Sequence, residues 1–390
     1  MKKIVLSLAI LAATFTSCST DNDEQQQQVA TGEISGDITG ATSYPVGNYT
    51  IKGTVKVLSG ATLTIAAGST INADVTDGPD ALLIVNGGKV FLEGTAASPI
   101  VFTEKSKTPG SWGGIIMYGD APIVGANSVT TATSEDGNAL VYGGTNAAHN
   151  GGTLKYVRVE YAGKKLTDNT SEMNGFSFYS VGTGTILENL VSYKGADDGF
   201  EFYGGTVSAK NLVSYGNYDD SFDWQDGWRG VDNTNWYAYQ VSTGNYGMEI
   251  EAKNVNNSFY PVVSNITLRR ATGTVTEGGS SAAEYDAIQF KKQGNGVYNN
   301  VVISGYTTAG ATAVRIQDTQ TNTDQVMASK IRILGVKIID GTSNYAAVSG
   351  GSFTTTFDAA NFVANSSATG ASLTAGAWAT VDGVNLLSNL

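Results

Sequence analysis

The 390-residue sequence has one cysteine, one histidine and six prolines. With Cys18 alone, no disulfide can form within the chain, so packing must hold the fold. With His149 alone, neither a zinc cluster nor a histidine-based triad can be assembled. It has no second histidine or free thiol to work with, and we read it as a surface-loop residue. Positive charge is also scarce: 23 basic against 35 acidic residues leave a net charge of −12. A phosphate backbone needs a basic footprint, and none is visible, which excludes nucleic acid as a partner. Long apolar runs are missing too. Ile4–Phe15 spans about a dozen residues, short of the ~20 that a membrane helix needs. No stretch sustains a 3.6-residue period, so the chain is not helical.

What remains is a strand-and-turn sequence with 48 glycines. Short alternating segments such as Ile51–Val57, Ala61–Ile65, Leu82–Val85 and Ile100–Thr103 each end at Gly or Asn, or near one. Further on the chain repeats itself. Asn189-Leu-Val-Ser-Tyr193 returns as Asn211-Leu-Val-Ser-Tyr215, Asp197-Asp198 as Asp219-Asp220, and Phe200-Glu-Phe202 as Phe222-Asp-Trp224. The apolar-polar-apolar triplet recurs at Phe176–Phe178, Met248–Ile250, Ile288–Phe290 and Val314–Ile316. A second strand pattern interleaves with it, with Asn189, Asn211, Asn265 and Asn300 each standing just before an apolar residue.

A short period with variable insertions is the signature of a solenoid. A propeller blade would need about 40 residues per repeat, and a β-sandwich would not repeat one offset. We therefore expect an all-β, right-handed parallel β-helix of about 22 residues per coil, with coils ~4.8 Å apart. Residues one coil apart then stack, Phe200 on Phe222 and Phe202 on Trp224, and the asparagines form an amide ladder. The expected organisation is a signal peptide over 1–17, a polar acidic tether over 18–30, the β-helix over 31–340 with an inserted loop at 124–150, and a coil cap over 341–390. The molecule should be a monomer.

The N-terminus adds an expectation about location. Lys2 and Lys3 precede the apolar run, and Cys18 follows it, which resembles the lipobox of bacterial lipoproteins with Phe15 standing where Leu or Val is usual. The alternative is an ordinary secretory signal with an incidental cysteine. Ser19–Gln28 is polar and acidic, suiting a disordered tether, and resembles the surface-export signal of Bacteroidetes lipoproteins. Loss of Lys2 and Lys3 with the leader takes the net charge from −12 to −14.

Four segments carry a wider resemblance: Trp112–Pro122, Gly152–Tyr161, Asp197–Thr206 and Tyr218–Asp223. Over about Val46 to Ile339 the chain resembles Bacteroidetes surface lipoproteins with a pectate-lyase-like β-helix. The resemblance implies this fold, lipidation at Cys18 and exposure on the outer membrane. It supplies no catalytic residues.

The acids suggest a site. If Phe200 and Phe202 point inward, Glu201 points outward, with Asp223 one coil on; Asp197, Asp198, Asp219 and Asp220 lie at an adjoining turn, with Asp226 nearby. Like charges ~5 Å apart repel by about 3 kcal/mol at an effective dielectric of 20. Relief comes from protonation or from a cation, and oxygen ligands favour Ca2+. Asp197, Asp198, Asp219 and Asp220 are the expected Ca2+ ligands; alternatively, the aspartates are turn formers bonded to local backbone. Tyr203, Tyr218, Trp228 and Trp236, with Arg229, would suit a glycan groove, unless those rings fill the coil.

Three functions follow. One is a surface protein that binds glycans or another extracellular partner. The second is a Ca2+-dependent polysaccharide lyase with Arg229 or Lys210 as base, or an inverting glycosidase using Asp198 with Asp220, or Glu201 with Asp223, at ~6.5–9.5 Å. The third is a structural spacer.

Overall fold

The computed structural model describes residues 29–76, 78–166, 172–257, 259–277, 284–341, 345–347 (backbone), 355 and 357–390. The leader, Cys18 and most of the tether lie outside these residues. The described chain winds into a right-handed parallel β-helix. One wall is a ten-stranded parallel sheet of short strands, from Thr54–Val57 through Ile115–Tyr118, Phe176–Tyr179, Phe200–Tyr203, Phe222–Gln225 and Met248–Ile250 to Tyr345–Ala347. The other walls belong to a fifteen-stranded sheet whose later members, such as Ile186–Tyr193, Ala209–Tyr215 and Asn233–Gln240, are long strands that bend once.

The expected register holds. Phe200 pairs with Phe222 and Glu201 with Asp223; Leu190 pairs with Leu212. Alternation puts the outer residues of each triplet inside, where Phe176 stacks on Phe200 at 5.0 Å and Phe200 on Phe222 at 5.7 Å. One stack differs. Phe202 is opposite Trp224 in the sheet, but its ring lies 4.5 Å from Trp228 and 5.8 Å from Trp236.

Each long strand bends at one left-handed residue. Asn189, Asn211, Asn235, Asn265 and Asn300 have φ of 54° to 60°, a conformation asparagine tolerates better than most side chains. Asn211 donates to Asn189 Oδ1 at 3.0 Å, Asn235 to Asn211 Oδ1 at 3.0 Å, and Asn300 to Asn265 Oδ1 at 2.7 Å. Asn235 is a rung the spacing of the other four did not predict, and Asn265 bonds Thr234 Oγ1 instead of continuing the amide chain.

Three expectations need correction. The C-terminal region is not simply a cap. Tyr345–Ala347 and Phe362–Ala364 add strands to the last coil, and the chain then runs back along the outer face as a strap. Thr369 N donates to Asn300 Oδ1, Ala371 N to Thr267 Oγ1, Ser372 N to Asn235 Oδ1 and Trp378 N to Ala96 O. Its driving force is apolar: Trp378, Val381, Leu386 and Leu387 cover Tyr161, Val191, Tyr193, Val213 and Tyr237, which alternation points outward. The 124–150 insertion is no simple loop either, since Ala132–Thr133 and Val141–Tyr142 form a hairpin and Tyr142 packs 5.0 Å from Tyr179. His149 is buried rather than on the surface; Nδ1 accepts from Gly182 N at 3.4 Å, and burial lowers its pKa.

Candidate functional site

The outward residues of the ten-stranded wall form one column: Ser177, Glu201, Asp223, Glu249, Gln289 and Arg315. Two residues before each strand lies a second column, with Asn174, Asp198, Asp220, Tyr246 and Asp286. The second column is a backbone device. Asp198 Oδ1 accepts from Asp220 N at 2.8 Å, Asp220 Oδ1 from Tyr246 N at 2.5 Å, and Asp286 Oδ1 from Thr312 N at 2.6 Å. Turn formation is thus one task of Asp198 and Asp220, and it occupies one oxygen of each.

The remaining carboxylate atoms meet in a cleft of about 290 Å3. Asp197, Asp198, Asp219, Asp220, Glu201, Asp223, Glu249 and Glu251 come from the coils; Glu135, Glu172, Glu277 and Glu284 come from insertions. Lys253 and Lys291 are the lysines lining it, so twelve acids face two bases. Burial, then mutual repulsion, raises the pKa of Asp197, Asp198, Asp220 and Asp223 well above the ordinary carboxylate range. Asp219 is pushed up to about 8 by burial, with Glu277 and Glu249 adding to it. Burial pulls against the charge of Lys291, but Glu249 and Asp223 outweigh it and hold that lysine above its usual range.

Three carboxylate trios each bring one oxygen per residue within 4.8 Å of one another: Asp197, Asp198 and Asp219; Asp198, Glu201 and Asp223; Asp220, Asp223 and Glu249. Glu201 is already committed, accepting from Asn174 Nδ2 at 2.7 Å, from Gln225 Nε2 at 2.8 Å and from the Tyr203 hydroxyl. Asp197 Oδ2 and Asp223 Oδ1 are buried with no hydrogen-bond partner. Two oxygens at 2.4 Å from one Ca2+ are at most ~4.8 Å apart, so the trios match that ion's reach.

A model of the pectate-lyase-like β-helix domain matches residues 32–381. The chain belongs to the pectate-lyase-like β-helix family. No curated protein matches the sequence. Among solved structures, the Streptococcus pneumoniae surface protein and adhesin PfbA is similar at 12% identity, over 80% of this chain and 90% of that one, with a TM-score of 0.17.

In this pectate-lyase-like β-helix the four aspartates expected as Ca2+ ligands do line one cleft. The expected aromatic face is corrected. Trp228 and Trp236 are 1% and 0% exposed, and their Nε1 atoms donate to Val207 O and Ala209 O. Trp236 occupies the inward position after Asn235 that Leu212 holds after Asn211, so it fills the coil. Tyr203 is buried against Tyr179 at 3.9 Å. Tyr218 alone of the four rings is exposed, and it does not line the cleft. The bases expected for a lyase face elsewhere: Lys210 pairs with Asp232 at 2.6 Å, and the Arg229 guanidinium lies 3.6 Å over Phe259. Asp226 binds the Tyr142 hydroxyl at 2.5 Å outside the cleft. Glu201 and Asp223 each bring an oxygen within 4.8 Å of the other's.

Sequence reasoning missed Glu249, although the repeating triplet marks its position one coil after Asp223. It also missed Lys291 and the insertion acids. No periodic signal points to those insertion residues, because their side chains reach the cleft only through the path of the loops.

Proposed function

We propose that this β-helix is a Ca2+-binding protein of the cell exterior, tethered to the outer membrane through Cys18, and that its acidic cleft uses the ion to engage an extracellular partner. The observation that carries the reading is the pair of buried, unpartnered oxygens, Asp197 Oδ2 and Asp223 Oδ1, each within a carboxylate trio of Ca2+ dimensions. A buried carboxylate oxygen without a donor is costly, and a divalent ion supplies what no nearby N–H does. Asp197, Asp198, Asp219, Asp220 and Asp223 would hold it, with Glu249 at the far end. Ca2+ accepts six to eight oxygens in irregular geometry, leaving positions that a partner's oxygens can fill. Glycans remain the favoured partner class, bound through the ion and not through aromatic stacking.

The test is calorimetric titration of CaCl2 into the EDTA-treated mature protein, with Asp223→Asn beside it. Saturable binding in the wild type, weakened at least tenfold in the variant, supports the site; equal binding in both removes it. Electrophoresis through gels containing acidic or neutral polysaccharides then addresses the partner. Ca2+-dependent retardation with intact glycan supports binding, whereas a cleared track makes the protein a depolymerase.

A further inference from the structure

On the opposite flank, between the outer face of the last coils and the strap, runs a groove of about 350 Å3. Arg269 and Lys337 rise from the sheet on one side, and Ser367 and Thr369 stand on the strap side. We propose that this groove binds an oxyanion: a sulfate, phosphate or carboxylate group.

Three observations converge on it. Arg269 Nε is buried and has no hydrogen-bond partner. Among the described residues, no acid lies within ion-pair distance of Arg269 or Lys337. In a chain with 12 more acids than bases, an unpaired Arg and Lys sharing one groove call for an explanation. The Tyr237 hydroxyl is a second buried group without a partner, and it lies close enough to Arg269 for that charge to oppose the rise that burial imposes on the phenol.

The alternatives that satisfy other arginines are absent at Arg269. Arg315 pairs with Asp286 at 2.9 Å, Arg158 with Glu160 at 2.6 Å, Arg229 lies 3.6 Å over Phe259, and Arg270 donates to Gln240 Oε1 at 3.0 Å. A guanidinium presents a planar fork of donors that matches two oxygens of one anion. Lys337 stands two coils further on, in line with Thr267, so it is ~10 Å from Arg269 along the axis and offset by ~7 Å along the strand, a span that two long side chains close around one anion. The exposed Ser367 and Thr369 add hydroxyl donors. The strap wall is fixed in place, since Thr267 Oγ1 and Asn300 Oδ1 accept its backbone N–H groups.

The test uses the mature protein in EDTA, which separates this groove from the acidic cleft. Sodium sulfate and sodium phosphate are titrated against NaCl at constant ionic strength while melting temperature is followed. The wild type should show a saturable rise. Arg269→Gln/Lys337→Gln should lose it, and Lys337→Gln alone should weaken apparent affinity at least tenfold. A rise of equal size and midpoint in wild type and variants, or no saturable rise in the wild type with either anion, overturns the proposal. A sulfated disaccharide that binds at least tenfold more tightly than inorganic sulfate places the oxyanion on a glycan; equal affinity makes it a free anion.

Discussion

Two polar columns climb this solenoid one coil at a time, and they solve the same problem differently. Along the bend of the long strands, asparagines stack amide on amide: Asn211 donates to Asn189, Asn235 to Asn211 and Asn300 to Asn265, with Asn265 turning to Thr234 Oγ1. Along the ten-stranded wall, Glu201, Asp223 and Glu249 stack at the same coil spacing. An amide carries both donor and acceptor, so its ladder satisfies itself. A carboxylate only accepts, so its ladder accumulates charge and leaves Asp223 Oδ1 without a partner. Identical geometry therefore makes a structural seam on one side and a carboxylate-lined cleft on the other.

The sharpest way to break that contrast is to remove one of the cleft's two lysines. Lys291→Met leaves Glu249 uncompensated, and losing one partner of a largely buried pair costs about 3–5 kcal/mol. Denaturant midpoints should fall accordingly without Ca2+ and recover largely at saturating Ca2+; an equal loss in both conditions would detach the lysine from the ion's site. Next is the asparagine side. Asn211→Leu forces a left-handed branched residue and breaks two rungs, for about 2–4 kcal/mol by the same measurement, and Ca2+ should not restore it.

Acidity sharpens the comparison further. The folded cleft holds protons that the unfolded chain releases above its ordinary carboxylate range, with Asp219 at about 8. Ion-free stability is therefore highest at acid pH and declines as pH rises toward 8, by more than about 1 kcal/mol between pH 5 and pH 8. Urea melts at the two pH values should show the decline in EDTA and little of it with Ca2+. The smallest effect belongs to Lys210→Ala. Its exposed pair with Asp232 is worth at most about 0.5 kcal/mol, and Ca2+ affinity should not change.

Much of the fold was legible in the sequence because a solenoid writes its coil period into the chain. The triplets gave the register, and the asparagines marked the bends. The same signal could have shown that Trp236, one residue after Asn235, faces inward; local density of rings was a poorer guide than phase. The aspartate pairs were legible as neighbours, but not the division of labour within them, since that depends on which oxygen meets the next coil's N–H.

By itself the sequence determined the solenoid, its phase and the stacking of like residues, because inward and outward positions alternate along each strand. Only the tertiary structure decided what surrounds those columns. The insertions bring Glu135, Glu172, Glu277 and Glu284 to the cleft, and the strap returns along the far face to cover its tyrosines. Both follow from aperiodic segments whose place is set by the surface they bury, and that surface exists only once the coils have stacked.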